Sequence, residues 1–462
     1  MTRRILTRSL VASALAGALV PGTAGAASFY IIESSPARLG NAFAGTASEA
    51  SDASTVYFNS AGMSRLEGSN VTVAGHYVMP EAEFDNNGSS TGVGTPSEGT
   101  LRGPDSSTDE SALVPNVYYT QPLTERWTLG IGVNAPFGLS SSYDENWVGR
   151  YHATDSELTT VNFNPTLSYA FDDNLSFGFG ISYQTIDATL EKEVDSYNAC
   201  FEAATTVGGL SDAVADGNCS ALHTGPGTRA NDSSSEVTGD DSGWGLDFGV
   251  LYEFDKDTRI GASYRQGIDY TLKGEVEFDR STSCANDTTF CSPATQDGDV
   301  EAGISLPDIL TLSATHGITE NWTISGDFAW YEWSVLDEVR IERESNGQEV
   351  STLELDYNDT TRVAVGATYS DDGPWTWRGG LAMDESPISG KDTVTPRIPD
   401  GDRTWLSFGF NYAMSPDASI DFGYAHLIVE EVKIESTEQR NTLKGEFDPS
   451  VDILAVSGNW RF

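Results

Sequence analysis

Four cysteines and five histidines are the residues best suited to metal, redox or nucleophilic chemistry, and their spacing decides which of these the chain can support. The cysteines fall in two pairs, Cys200 with Cys219 and Cys284 with Cys291. Zinc would need histidine or further cysteine at finger spacing. None of His76, His152, His223, His316 and His426 stands beside a pair. Disulfides are the reading that remains, with three connectivities open to four cysteines. A hydrolase would need a Ser/His/acid set, and no G-x-S-x-G elbow accompanies the scattered histidines. The acidic runs EVTGDD at 236–241 and DGDVE at 297–301 could hold a divalent cation, yet spread acidic charge more often solvates a surface, and no EF-hand spacing marks a calcium site. No enzyme, metal centre or cofactor is expected.

The elements that carry these residues begin with an address. Arg3, Arg4 and Arg8 precede an apolar run over 10–20 and the small-residue site Ala24-Gly25-Ala26, which together predict a signal peptide over 1–26. An uncleaved anchor is the alternative, although the apolar run is too short to span a bilayer as a helix. Export to an oxidising compartment favours the disulfides. The chain carries 69 Asp and Glu against 26 Lys and Arg, a net charge of −43, which excludes nucleic acid as a partner because such affinity rests on basic residues at phosphates. No later run is long and apolar enough for a helical span, so any membrane role must use strands.

Strands are what the pattern predicts. In WLSFGFNYAM at 405–414, Leu406, Phe408, Phe410, Tyr412 and Met414 share one face, and Ser407, Gly409, Asn411 and Ala413 the other. The same large-apolar against small-or-polar alternation recurs around Leu129, Phe177, Leu246, Val363 and Ile420. A secreted sandwich also alternates, but its solvent face carries more Lys, Glu and Thr. Gly, Ser, Ala and Asn suit a crowded lumen, with the large face toward lipid. About fourteen strand candidates follow, among them 127–137, 174–190, 242–254 and 450–462, joined alternately by short turns and long loops. Long outer loops are read at 85–110, 191–241, 279–299 and 386–401, and 191–241 and 279–299 each enclose one cysteine pair. The stretch LGNAFAGTASEASDASTVYFNSAGM at 39–63 is too small in side-chain volume to form a core alone. It reads either as an exposed linker or as a plug packed within the barrel. The chain ends ILAVSGNWRF, and a terminal Phe462 of this kind resembles the signal read by barrel-assembly machinery.

Several stretches together resemble the FadL family of outer-membrane transporters of long-chain fatty acids and hydrocarbons: LGNAFAG at 39–45, FNSAGM at 58–63, WGLDFGVLYEFDKDTRIGASYR at 244–265, WTWRGGLAMDESPI at 375–388 and IPDGDRTWLSFGFNYAMSPDASIDFGYAH at 398–426. The resemblance implies an all-β, fourteen-stranded transmembrane barrel over 69–462 with an N-terminal hatch over 27–68 inside the lumen. It implies a monomer in the outer membrane, surrounded by outer-membrane lipid. Its partner is a hydrophobic small molecule, a long-chain fatty acid or a hydrocarbon. Capture between two outer loops, transfer to a lumen pocket, hatch rearrangement and lateral exit through the wall would follow; a general porin is the less favoured alternative.

Asn59, Ser60 and Ala61 match the family's hatch motif, with serine where the family has proline. In fatty acid transporting members, basic groups on the inner wall bind the carboxylate. One such place matches Arg340 and another is Asp187 here, with Lys192 a second basic candidate. Unbroken alternation from Trp322 would turn Arg340 outward, so its role as a ligand requires a bulge; if neither Arg340 nor Lys192 faces the lumen, a neutral hydrocarbon becomes the better substrate.

Overall fold

The computed structural model describes residues 28–222 and 231–462, so the expected leader 1–26 and His223 lie outside the described residues. The strands of the barrel wall, in chain order and leaving aside three two-residue strands in the loop 87–111, are β1 Asn70–Asn86, β2 Ala112–Pro122, β3 in two pieces, Trp127–Asn134 and Gly138–Ser142, β4 Asp155–Ala170, β5 Leu175–Val194 and β6 Ser233–Glu253. Next come β7 (Thr258–Arg265 and Asp269–Asp279), β8 (Gly298–Ser305 and Ile309–Gly317), β9 (Trp322–Tyr331 and Glu338–Arg343) and β10 (Glu349–Glu354 and Thr360–Ser370). The circuit ends with β11 Trp375–Asp384, β12 Arg403–Ser415, β13 (Ala418–Val429 and Val432–Glu438) and β14 Asn441–Arg461. Each pairs antiparallel with the next, and β14 pairs with β1 from Asn70↔Arg461 to Asn86↔Gly445, closing a barrel of fourteen strands. Closure leaves no strand edge in lipid, which is the condition for crossing a membrane with strands.

The two faces of the wall follow the sequence period. Phe177, Phe179, Leu246, Phe248, Val250, Leu406 and Phe408 are exposed on the outside. At one rim, cross-strand rings pair as Trp127–Tyr169, Trp322–Tyr369 and Trp375–Tyr412, with centroids 4.6, 5.0 and 4.7 Å apart, and form an interfacial girdle. The inner face is small or polar because residues 28–65 lie against it.

That plug holds α1 Pro36–Leu39, α2 Thr55–Phe58 and a 3-10 turn Ser60–Arg65, each too short to persist alone. The wall holds them by hydrogen bonds. The Thr46 amide and hydroxyl donate to Asp327 at 3.0 and 2.7 Å, and the Ala47 amide donates to Ser313 Oγ at 2.9 Å. Two inward glycines are required by the close fit. A Cβ on Gly249 would lie 2.0 Å from Asn59 Oδ1, and one on Gly178 would lie 2.2 Å from the Ala61 amide nitrogen.

Several strands run further than the alternation indicates. The loop read at 191–241 spans 195–232, because β5 continues to Val194 and β6 starts at Ser233, paired Ser233↔Val194 through Asp240↔Asp187. The loop read at 279–299 spans 280–297, and β14 starts at Asn441, nine residues before the expected 450. The reason is a reversal of polarity. Beyond the lipid the outer face meets water, so Lys444, Glu446 and Asp448 point out while Leu443 and Phe447 are fully buried within. Phe447 packs on Phe84 at 4.8 Å, and Phe84 meets Trp147 edge-on. These extensions alternate with the opposite sign, which hides them from a search for apolar outer faces.

Disulfides join Cys200 to Cys219 and Cys284 to Cys291, which selects one of the three connectivities. Both bridges share one apolar cluster with Tyr197, Phe201 and Leu222, so the two outer loops are fastened into a single cap.

Replacing Gly249 by valine removes the space that Asn59 occupies while keeping a good strand former. The expected outcome is a folded barrel with a displaced plug and ion conductance in planar bilayers above that of wild type. Wild-type conductance in Gly249→Val would show that the plug does not depend on this fit.

Candidate functional site

Above the plug, the barrel holds an inner pocket lined by Leu158 of β4, Leu190 of β5, Leu272 of β7, Ile304 of β8 and Leu353 of β10, with Leu336 and Leu355 from the breaks in β9 and β10. Its walls are overwhelmingly aliphatic. An outer vestibule opens above it and is polar, with Lys192, Ser235, Arg343, Ser351 and Glu438 among its lining. Leu190, Val237, Val339, Ile341, Leu353 and Arg397 belong to both, so they form the neck between the two spaces.

Phe29 forms part of the inner pocket, and the chain around it does a second job. The ladder between β2 and β3 stops at Val117↔Val133, and β3 breaks at 135–137, where Pro136 supplies no N–H. Residues 112–116 of β2 therefore have no partner in β3. The plug closes this interval. The Ile31 amide donates to the Pro136 carbonyl at 2.8 Å, the Gly138 amide donates to the Phe29 carbonyl at 2.9 Å, and Tyr30 bridges to Phe137. Asn116 Nδ2 donates to the Glu33 carbonyl at 3.2 Å. Phe29 packs at a tilt against Phe137 and edge-on against Trp333, with centroids 5.9 and 5.1 Å apart. One segment is at once pocket lining and seal of the wall.

Asn59, Ser60 and Ala61 sit at the other end of the plug. Asn59 Nδ2 donates to the Ala47 carbonyl at 2.6 Å and to the Val250 carbonyl of β6 at 3.0 Å, while Oδ1 accepts from the Ala61 amide at 3.1 Å. One side chain thus ties two plug segments to each other and to the wall, and caps the 3-10 turn. Ser60 opens that turn, the position where a proline's fixed φ is tolerated. Its hydroxyl is buried and makes no hydrogen bond to protein.

The basic candidates separate. No bulge brings Arg340 inward: its neighbours Val339 and Ile341 line the cavities, while its own side chain is 48% exposed and paired with Glu338 at 2.7 Å. Asp187 also faces outward, one residue from the pocket-lining Ala188. Lys192 does line the vestibule, but its Nζ is held by Glu438 at 3.1 Å and donates to Ser351 Oγ at 3.2 Å, so its charge is already answered. The basic residue at the apolar pocket is Arg397, from the loop between β11 and β12, and the sequence reading missed it. Burial, the largest influence on it, pushes its guanidinium below the usual value. It lies in an irregular TPRIPD run where no period marks a face, so only its charge could have drawn notice.

Comparison with known proteins places this geometry. A family model described as "Outer membrane protein transport protein (OMPP1/FadL/TodX)" matches residues 17–462. The chain is 27% identical over 466 residues to a long-chain fatty acid transport protein of Escherichia coli O6:H1, covering 100% of this chain and 99% of that one. It is 30% identical over 450 residues to outer membrane protein P1 of Haemophilus influenzae, covering 93% and 92%. Among solved structures, it superposes on a Pseudomonas aeruginosa FadL homologue with a TM-score of 0.82 at 23% identity, covering 94% of this chain and 100% of that one. The P. putida toluene transporter TodX gives 0.70 at 19%, covering 94% and 99%. These structural likenesses bear on the fold alone.

Loss of the Asn59 amide leaves the Ala61 amide and two carbonyls without their partner, a cost of roughly 1–3 kcal/mol. In Ala61→Cys, a buried thiol otherwise slow to react with a maleimide, adding Asn59→Ala is expected to speed labelling by about tenfold or more. Equal rates would mean that Asn59 does not hold the turn.

Proposed function

The chain belongs to the outer-membrane transport protein family that includes FadL and TodX, and from that premise we propose that it carries out passive uptake of long-chain fatty acids or similar hydrophobic molecules across the bacterial outer membrane. The carrying observation is the double duty of the segment 29–31, in which Phe29 lines the apolar pocket while the backbone of 29–31 pairs with β3 at the gap between β2 and β3. A molecule that enters from the vestibule and settles against Phe29 presses on the segment whose hydrogen bonds keep the wall shut. Movement of that segment opens a path sideways into lipid.

A sideways exit suits the cargo. Each methylene kept out of water is worth about 0.8 kcal/mol, so a long tail would lose many kcal/mol by crossing an aqueous pore. The plug filling the lumen favours this reading over a general porin. A relative also supports it, bearing the name of a long-chain fatty acid transport protein. Neutral hydrocarbons stand as the second cargo class, which the aliphatic pocket accommodates equally well.

The gate is proposed at Asn59, Ser60 and Ala61, where the plug is tied to β6, acting together with the seal at Phe29 to Ile31. The test locks the plug. A disulfide between Ala47→Cys of the plug and Ser313→Cys of β8, whose backbone and side chain touch in the native protein, is expected to abolish uptake of a labelled fatty acid by cells. Reductant is expected to restore uptake to the level of wild type treated in the same way. Full uptake by the locked protein would remove the gate from the account.

A further inference from the structure

We propose that Glu33 is a proton switch for the seal: it holds a proton while the plug closes the wall and releases that proton to water when the segment moves, so the seal loosens as pH rises. The inference rests on the seal described above and not on the identity of the cargo. Glu33 lies two positions after Ile31 and is fully buried. Its backbone is fixed at the gap. The Glu33 carbonyl accepts from Asn116 of β2 at 3.2 Å, and the next amide, that of Ser34, donates to the Ile32 carbonyl at 2.7 Å. Its carboxyl is not held in the same way. Among the described residues, neither carboxyl oxygen has a hydrogen-bond partner on another residue.

A carboxyl buried without such partners is costly in its charged form and far less so in its neutral form. The charges around it do not remove that cost. Arg403 of β12 is held by Asp400, its Nε 2.9 Å from that carboxylate. Arg362 of β10 donates Nη2 to the Ala42 carbonyl and lies over the Phe43 and Trp405 rings at 5.8 and 5.5 Å. Both arginines attract a charge on Glu33, whereas Asp384 of β11 repels it. Tyr57 of the plug and His76 of β1 also stand here, His76 Nδ1 lying 3.3 Å from the same Asn116 Nδ2. Burial is the largest influence on the Glu33 carboxyl. With Asp384 it outweighs the pull of the residue's own amide and of the two arginines, and the carboxyl is pushed up to about 7. An exposed glutamate titrates near about 4.3, so the sealed state binds the proton more tightly than the displaced state does. The contribution of Glu33 to the seal is therefore complete below about 4.3, declines as pH rises, and is lost above about 7. A charge appearing on His76 would act with the opposite sign, loosening the seal as pH falls.

The experiment measures amide exchange at Ile31 and Gly138 in the full-length barrel in a neutral detergent, at pH 5 and at pH 8, each rate divided by that of an unfolded amide at the same pH. Wild type is expected to lose protection at both amides by about tenfold or more between pH 5 and pH 8. The Ala170 amide, which donates to the Arg126 carbonyl at 2.9 Å beside the girdle, is expected to keep its protection. Glu33→Gln, which keeps the shape and cannot ionise, is expected to show equal protection at the two pH values. Asp384→Asn and His76→Gln are expected to respond as wild type does. The proposal is overturned if wild-type protection is constant or rises from pH 5 to pH 8, if the response survives in Glu33→Gln, or if Asp384→Asn or His76→Gln abolishes it. Should Glu33→Gln not assemble, Glu33→Leu decides in its place: a lost response supports the switch, and a surviving one overturns it. Failure of the transport reading looks different, since methyl oleate would then leave both amides unchanged at either pH; faster exchange with the lipid but no response to pH removes the proton switch alone.

Discussion

Backbone groups at membrane depth must find partners within the protein, and the interval between β2 and β3 is where the wall does not supply them. Pro136 and the break at 135–137 end the ladder, and the plug fills the gap, pairing its backbone with the β3 side through Ile31, Phe29 and the bridge from Tyr30 to Phe137 and meeting β2 through the Asn116 side chain on the Glu33 carbonyl. A barrel built this way cannot treat its N-terminal segment as an accessory. The same residues that complete the hydrogen bonding of the wall form one side of the pocket, so occupancy of the pocket and integrity of the wall are physically linked.

The rest of the inner surface is arranged to hold that plug firmly but reversibly. Polar wall groups such as Ser313 and Asp327 grip its backbone, and glycines at 178 and 249 let it approach the wall at Asn59 and Ala61. Hydrogen bonds contribute roughly 1 kcal/mol each, and about 1.5–3 kcal/mol where a carboxylate such as Asp327 accepts. A set of these positions the plug, yet none alone is strong enough to forbid movement.

Much of the fold was legible in the sequence because lipid imposes a simple rule on the wall. Leu246, Phe248 and Val250 against Gly245, Asp247 and Gly249 report a strand and its lipid face at once. Legibility ended where the rule changes sign. Over 441–448, apolar Leu443 and Phe447 point inward and charged residues outward, as in a water-soluble barrel, and the strand vanished into what read as loop. The site was harder still. The alternation itself turned Arg340 outward, while the family match suggested the reverse; the local period proved the better guide. Arg397 and Phe29 come from segments without regular structure, where no period can assign a face, and only the folded chain brings them to one cavity.

The most direct test is amide hydrogen exchange at Ile31 and Gly138, the two donors that close the wall, in the empty barrel and in the barrel saturated with methyl oleate. Filling the pocket should displace the seal, so both amides are expected to exchange faster in the loaded protein. Protection unchanged or increased at both sites, with the lipid bound, would contradict the link between pocket and wall on which the account depends.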